Sequence, residues 1–131
     1  TTKTMPLTEN EISRLILDCS FRIHTQLGPG IFESVYEEVL YYELQEEGLE
    51  IKRQFPIPVQ WNNKTMEMGF KADLIVEDKV IIELKSIESL QAVHKKQLLT
   101  YLRLSGIKLG LLINFNENLL KNGIKRIVNG L

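Results

Sequence analysis

Three charged side chains stand within or directly beside apolar segments near the middle of the chain: Asp73, Glu83 and Lys85. Asp73 lies inside the apolar run 72–76, while Glu83 and Lys85 close the run 80–84. Residues two apart in a strand point to the same side, so Glu83 and Lys85 share a face. Ionised groups in a strand core need a partner or a metal ion. These residues alone leave two interpretations open, a functional site or an ion pair at a solvated strand end.

The pairing register of this segment decides whether the two acids meet. The charged residues Glu77-Asp78-Lys79 separate the two apolar runs and predict a tight turn, so the runs form a β-hairpin. A three-residue loop that pairs Val76 with Val80 would place Asp73 opposite Glu83 on one face. A two-residue turn would shift the pairing and send Glu83 to the other face.

The composition is that of a globular protein with one domain. The chain has 131 residues, of which 44% are hydrophobic and 25% charged, and this length suffices for a single core. No apolar run approaches the roughly 20 residues of a membrane helix. The N-terminal residues also lack the apolar core of a signal peptide, so we expect a cytoplasmic protein without membrane contact.

Cysteine content and net charge exclude several classes of function. Cys19 is the only cysteine, which excludes an internal disulfide and a zinc or iron–sulfur site built from several thiolates. A metal ion would therefore be bound by oxygen or histidine. The net charge of −1 gives no global attraction to nucleic acid, so binding to a polyanion would need a local basic patch.

Two helices are predicted in the first third of the chain. Thr8 and Glu11 fit a capping box, and apolar residues then recur at spacings of three and four until a Gly-Pro-Gly sequence at 28–30. The second helix is predicted from about residue 32 to 47. It carries Glu33 in its first turn, where a carboxylate suits the positive end of the helix dipole without any catalytic role.

The rest of the chain predicts strands around a third helix. A three-stranded meander extends from 51 to 85, and two prolines make its first strand an edge strand. The third helix is predicted within 86–104, capped at Ser86 or Ser89. A buried strand at 108–114 then runs parallel to a neighbour, and a last strand at 124–128 lies near an edge.

Polar and basic residues share the third predicted helix. His94, Gln97 and Tyr101 fall on one face, which a solvated helix surface would also explain. The best local basic patch of the chain lies on the same helix and consists of Lys95, Lys96 and Arg103.

The order of these elements and motifs resembles the PD-(D/E)XK nuclease superfamily. The motifs are Asp73, then Glu83-Leu84-Lys85, then Gln97-x-x-x-Tyr101, and Ala72 stands where the superfamily name has proline. The segment Gly30–Tyr36 is similar to the motif that names the GxxExxY proteins, a branch of that superfamily. The resemblance implies an α/β fold with a restriction-endonuclease-like αβββαβ core, a mixed central sheet flanked by helices, and an extra N-terminal helix. One nuclease-like domain would span residues 1–131.

The resemblance also implies a phosphodiesterase site that binds Mg²⁺ or Mn²⁺. Asp73, Glu83 and the backbone carbonyl of Leu84 would be metal ligands, and Glu33 would reach the metal directly or through water. Such a hard cation prefers carboxylate and carbonyl oxygen. Lys85 would orient or deprotonate the attacking water. Four further side chains would support the site or the substrate: Gln97, Tyr101, Tyr36 and His94.

The function implied by the resemblance is metal-dependent cleavage of nucleic acid, with DNA favoured over RNA, in repair or processing. The resemblance leaves open whether the chain forms a homodimer. The alternative is a binding or regulatory module with a nuclease fold and weak or lost activity, which the near-neutral charge and the small size favour. A third hypothesis is a protein that binds a metal through oxygen ligands without hydrolysis.

Overall fold

Helices and strands cover most of the chain in this computed structural model, which describes residues 5–131 apart from the side chain of Met68. In chain order the elements are α1 (Glu9–Leu27), α2 (Glu33–Glu46), β1 (Ile51–Trp61), β2 (Lys64–Val76), β3 (Val80–Lys85), α3 (Ala92–Ser105), β4 (Leu109–Asn114), a 3₁₀ helix (Leu120–Gly123) and β5 (Ile124–Val128).

The strands form one mixed five-stranded sheet in the order β1-β2-β3-β4-β5. β1, β2 and β3 make an antiparallel meander. β4 is parallel to β3, and α3 provides the crossover that a parallel connection requires. β5 pairs antiparallel with β4 at the far edge. The predicted restriction-endonuclease-like fold is confirmed, including the edge position of β1 and the parallel direction of β4.

Helices cover both faces of the sheet because the inner strands are apolar on both sides. One core lies between the sheet and the pair α1 and α2, with Ile12, Ile16, Tyr36, Leu40, Leu74, Ile82 and Ile113 among its members. The second core lies under α3 and includes Ile57, Ala72, Ile75, Ile81, Leu98, Leu102 and Leu112. No helix within residues 5–131 has the length and apolar character that a membrane crossing needs.

The β2–β3 hairpin has the register that brings the two acids together. Val76 pairs with Val80 and Leu74 with Ile82, so the loop holds three residues. Glu77 and Asp78 adopt left-handed conformations in this loop, with φ of 53° and 54°. The predicted hairpin is therefore confirmed, with the three-residue loop of the two possible turns, and Asp73 and Glu83 adjoin its last pair, Leu74 and Ile82.

The helix ends agree only in part with the sequence prediction. The capping box of α1 is confirmed, since the Glu11 N–H donates to Thr8 Oγ1 at 3.2 Å and the Thr8 N–H donates to Glu11 Oε1 at 2.9 Å. The predicted start of α3 at Ser86 or Ser89 is wrong, because the helix begins at Ala92.

The chain between β3 and α3 is held by contacts with distant residues, which explains the late helix start. The Ser86 hydroxyl donates to the Ile31 carbonyl. The Ile87 N–H donates to Asn114 Oδ1 at 3.1 Å, and Asn114 Nδ2 donates back to the Ile87 carbonyl at 2.9 Å. These bonds satisfy the backbone of the segment outside a helix, so a cap at Ser86 is not needed.

Candidate active site

Asp73 and Glu83 meet where β2 and β3 separate. The regular ladder between these strands ends at Leu74 and Ile82. Beyond it the Leu84 N–H donates to Asp73 Oδ2 at 2.8 Å, and the Asp73 N–H donates to Glu83 Oε1 at 3.3 Å. Side-chain carboxylates thus replace backbone carbonyls as acceptors. The result is a pair of adjacent acids in the gap between the two strands.

The two acids differ in their access to water, since Asp73 is half-buried and Glu83 is buried. Glu83 is only 9% exposed. Burial raises the pKa of Glu83 to about 9, and the negative charge of Asp73 and a hydrogen bond with it act in the same direction. The charge of Lys85 lowers this pKa only in part. Near neutral pH this favours a protonated Glu83, or a nearby cation that would stabilise its charge.

Lys85 and Tyr101 lie on the same side of the sheet as the acid pair. Lys85 is the half-buried last residue of β3, two positions after Glu83. Tyr101 on α3 is half-buried, and burial together with the charges of Glu83 and Asp73 raises the pKa of its hydroxyl. Gln97 is exposed one helical turn before Tyr101. The structure thus brings together residues from both strands of the hairpin and from α3.

Glu33 stands at the rim of this site. Its Oε2 accepts the Ser86 N–H at 3.2 Å, directly after the end of β3. Leu84 and Ser86 are two residues apart, so their amides point to the same strand edge roughly 7 Å from each other. The Glu33 carboxylate is therefore displaced from that of Asp73 along the strand. It also lines an open pocket together with Phe32 and Ser86.

Tyr36 lies in the core and holds the loop that precedes α2. It is fully buried, and its ring stacks on Phe115 with 4.4 Å between centroids. Its hydroxyl donates to the Gly28 carbonyl and accepts the Ile31 N–H at 3.3 Å. Gly30 in the same loop has φ of 87°, a conformation that favours glycine. Tyr36 and Gly30 thereby fix the start of α2, which carries Glu33.

Replacing Tyr36 with phenylalanine is expected to lower the free energy of unfolding by about 1–3 kcal/mol, because the Gly28 carbonyl and the Ile31 N–H lose a buried partner. Urea denaturation of both proteins measures this difference. Tyr42→Phe on the exposed side of α2 is the control and should leave the stability unchanged. Equal stability of all three proteins would contradict a structural role of the Tyr36 hydroxyl.

His94 lies in the first turn of α3, where its Nδ1 accepts the Gln91 N–H at 2.9 Å. The imidazole therefore takes the part of an N-terminal capping acceptor. No contact joins it to the acid pair within the described residues.

Three residues without a predicted role extend the hydrogen bonds of the site: Gln54 contacts Asp73, Glu37 contacts Gln54, and Arg53 contacts Glu37. Gln54 Nε2 donates to Asp73 Oδ1 at 3.2 Å and to Glu37 Oε1 at 2.7 Å. Arg53 Nε donates to Glu37 Oε2 at 2.9 Å. Glu37 is 8% exposed and follows Glu33 by one helical turn, which was the only sequence signal for it. Nothing in the sequence of β1 marked Gln54 or Arg53.

The donor atoms of the site suit a hard divalent cation. Between residues 5 and 131 no group of three or more His, Cys, Asp or Glu side chains is placed to hold a metal ion. Two carboxylates are present, however, and Mg²⁺ is commonly bound by one or two carboxylates together with water and substrate oxygens. The pair Asp73 and Glu83 therefore fits Mg²⁺ or Mn²⁺.

Comparison with known proteins agrees with this fold and site. A family model described as the PD-(D/E)XK nuclease superfamily matches residues 10–127. The chain belongs to this superfamily, whose members are generally hydrolytic nucleases that use divalent metal ions. No curated protein and no solved structure matches the chain significantly.

Proposed function

We propose that this chain is a Mg²⁺- or Mn²⁺-dependent nuclease of the GxxExxY branch that cleaves DNA in the cytoplasm, in repair or processing. The observation that carries the proposal is the adjacent pair of half-buried Asp73 and buried Glu83, with Lys85 two positions after Glu83 on β3. Because burial disfavours a bare Glu83 carboxylate next to Asp73, a bound cation would stabilise this arrangement.

The metal ligands in this proposal are Asp73, Glu83 and the carbonyl of Leu84. The N–H and C=O of one strand residue point to the same edge, so the Leu84 carbonyl faces the gap into which its N–H donates. These ligands would hold a metal ion whose charge would supply polarisation of the phosphate and activation of water. Glu33 at the rim would act through water, since its carboxylate is displaced along the strand.

The remaining residues would handle the water and the substrate. Lys85 would orient or deprotonate the attacking water and offset negative charge on the phosphate. Tyr101, with Gln97 one turn away, would support the phosphate or the lysine from α3. Tyr36 and His94 would contribute indirectly, by holding the start of α2 and of α3.

A local basic surface compensates for the near-neutral net charge. The helix α3 that carries Tyr101 also carries the exposed side chains of Lys95, Lys96 and Arg103. Phosphate groups attract such residues through counterion release, without sequence preference. We therefore expect binding to nucleic acid that weakens steeply with salt.

A cleavage assay tests the proposed function. Purified protein is incubated with supercoiled plasmid, linear duplex, single-stranded DNA and RNA in Mg²⁺, in Mn²⁺ and in EDTA. We expect cleavage of DNA with either metal and none in EDTA. Cleavage of RNA alone would correct the substrate, and intact substrates in every metal condition would overturn the assignment as a nuclease. Light scattering on the same sample determines whether the active species is a homodimer.

The second candidate is a nuclease-fold module that binds nucleic acid or regulates another protein with weak or lost activity. This candidate is favoured because, within residues 5–131, no three His, Cys, Asp or Glu side chains are grouped so that they could hold a metal ion. Fluorescence anisotropy with labelled DNA separates the two candidates. Binding that persists in EDTA without cleavage in Mn²⁺ would support the module.

A further inference from the structure

We infer that Gln54 is a positioning residue for Asp73, at the end of a hydrogen-bond relay that runs from Arg53 through Glu37. This inference rests on the proposed function, because it takes Asp73 as a metal ligand. It assigns a part in the site to Gln54 and Arg53 of β1 and to Glu37 of α2, none of which belongs to the motifs that define the site.

The relay uses both hydrogens of one amide nitrogen. Gln54 Nε2 donates to Glu37 Oε1 at 2.7 Å and to Asp73 Oδ1 at 3.2 Å. Ionised carboxylates only accept hydrogen bonds, so the amide nitrogen and not the amide oxygen must face them. The orientation of the Gln54 side chain is therefore set by Glu37, and Gln54 in turn restrains Asp73.

Asp73 is then held at both of its carboxylate oxygens. Gln54 Nε2 binds Oδ1, and the Leu84 N–H binds Oδ2 at 2.8 Å. Each oxygen keeps a further lone pair, because an ionised carboxylate has about four acceptor sites. The orientation of the Asp73 carboxylate is thus fixed, while each of its oxygens still has a lone pair that could bind a cation. Restraint of this kind by an outer hydrogen-bond partner tunes the metal affinity of a ligand.

The backbone of β1 is irregular at the residue that makes these contacts. Arg53 pairs with Leu74 and Phe55 with Ala72, but the intervening pair is missing from the ladder. Gln54 itself has φ of 48°, which is uncommon for a residue other than glycine. Such a conformation costs free energy and persists only where the surroundings determine it, and here two side-chain bonds do so.

Arg53 reduces the electrostatic repulsion between the carboxylates of Glu37 and Asp73. The two carboxylates share one donor nitrogen and therefore lie within about 6 Å of each other, a distance at which like charges repel. Arg53 Nε pairs with Glu37 at 2.9 Å, and its Nη2 pairs with Glu38 at 2.7 Å. The guanidinium, which Glu37 shares with Glu38, thus offsets part of the charge of Glu37 and weakens its repulsion of Asp73.

Gln54→Asn tests the reach of the relay. Asparagine keeps the amide and tolerates the left-handed backbone, but it is one methylene too short to bridge both acids. We expect the Mn²⁺ dissociation constant to rise about 10-fold, at the lower end of the range for outer-shell partners. Isothermal titration calorimetry with Mn²⁺ measures it. Gln60→Asn is the matched control, since Gln60 on the same strand bonds across to Thr65 on β2 and should bind Mn²⁺ like the wild type.

A measurement without metal tests the relay itself. In ¹⁵N-correlated NMR spectra recorded in EDTA, the side-chain amide signals of Gln54 should shift in Glu37→Gln and in Asp73→Asn, while those of Gln60 should not. Unchanged Gln54 signals in both variants would overturn the inference. So would a Gln54→Asn protein whose Mn²⁺ dissociation constant equals that of the wild type.

Failure of the inference and failure of the proposed function give different results. If the wild type cleaves DNA and Gln54→Asn cleaves and binds Mn²⁺ equally well, the relay has no positioning role while the nuclease stands. If the wild type binds no Mn²⁺, the metal-dependent function fails, and with it the role of Gln54 toward a ligand. A loss of thermal stability in Gln54→Asn with unchanged Mn²⁺ affinity would show a purely structural role and also overturn the inference.

Discussion

Replacing Lys85 with alanine is expected to lower the rate of DNA cleavage by about 100-fold or more, with little change in Mn²⁺ affinity. An ammonium group supplies no metal ligand, but Lys85 lies two positions after Glu83 on the same face of β3, and its charge lowers the pKa of Glu83. Loss of a preorganised group that stabilises developing charge typically costs this much in rate. Initial cleavage rates at saturating Mn²⁺ and calorimetric titration of Mn²⁺ measure the two effects separately.

Two further variants make the Lys85 result specific. Lys52→Ala removes an exposed lysine of β1 whose ammonium pairs with Asp78 at 2.7 Å, at the turn end of the hairpin, away from the site. This surface pair contributes little, so the control should cleave like the wild type. Asp73→Ala should lose both Mn²⁺ binding and cleavage. Cleavage that survives both Lys85→Ala and Asp73→Ala would remove the catalytic assignment.

The fold could be predicted where it depends on residues that are close together in the sequence. The capping box at Thr8 and Glu11 depends on residues three apart, so it could be read directly from the sequence. The hairpin offered two registers, and only the three-residue loop lets Asp73 and Glu83 meet. The sequence left both registers open, because no local signal selects the loop length, and the pairing of Val76 with Val80 in the structure decides between them.

The parts that could not be predicted depend on contacts between distant residues. Asn114 holds the backbone of Ile87 across 27 positions and so delays the start of α3. Gln54 bonds Glu37 and Asp73 from a left-handed backbone conformation. This conformation could not be predicted, because the residue is neither glycine nor asparagine. Residue types do not show which distant residues will be hydrogen-bond partners. A residue that suits a helix cap, such as Ser86, then predicts the wrong start for α3.

The metal-free protein is expected to lose stability as the pH rises from about 5 to 9. Folding raises the pKa of Glu83 from its ordinary value of 4.5 to about 9, chiefly through burial. Below pH 4.5 both the folded and the unfolded state hold the proton, so Glu83 has no effect on stability. Between the two values the unfolded state releases the proton that the folded state keeps. Raising the pH therefore favours unfolding, with a slope of up to about 1.4 kcal/mol per pH unit.

Urea denaturation in EDTA across this pH range measures the slope. Glu83→Gln should flatten the profile, because glutamine does not titrate yet can still accept the Asp73 N–H that bonds Glu83 Oε1. Glu67→Gln, an exposed acid on β2, is the control and should keep the wild-type slope. A wild-type profile as flat as that of Glu83→Gln would show that Glu83 is ionised in the folded protein without metal.

Mn²⁺ binding should depend on pH in the opposite direction, since the cation displaces the proton on Glu83. Metal binding to a protonated ligand releases that proton, so the affinity should rise by up to about tenfold per pH unit below pH 9. Calorimetry in buffers of different ionisation enthalpy should detect release of about one proton per Mn²⁺ near pH 7. The same titration of Glu83→Gln should show weaker binding without proton release. Acids with only a structural role would release no proton on addition of Mn²⁺. The number of protons released per Mn²⁺ therefore distinguishes a metal site from a purely structural role of these residues.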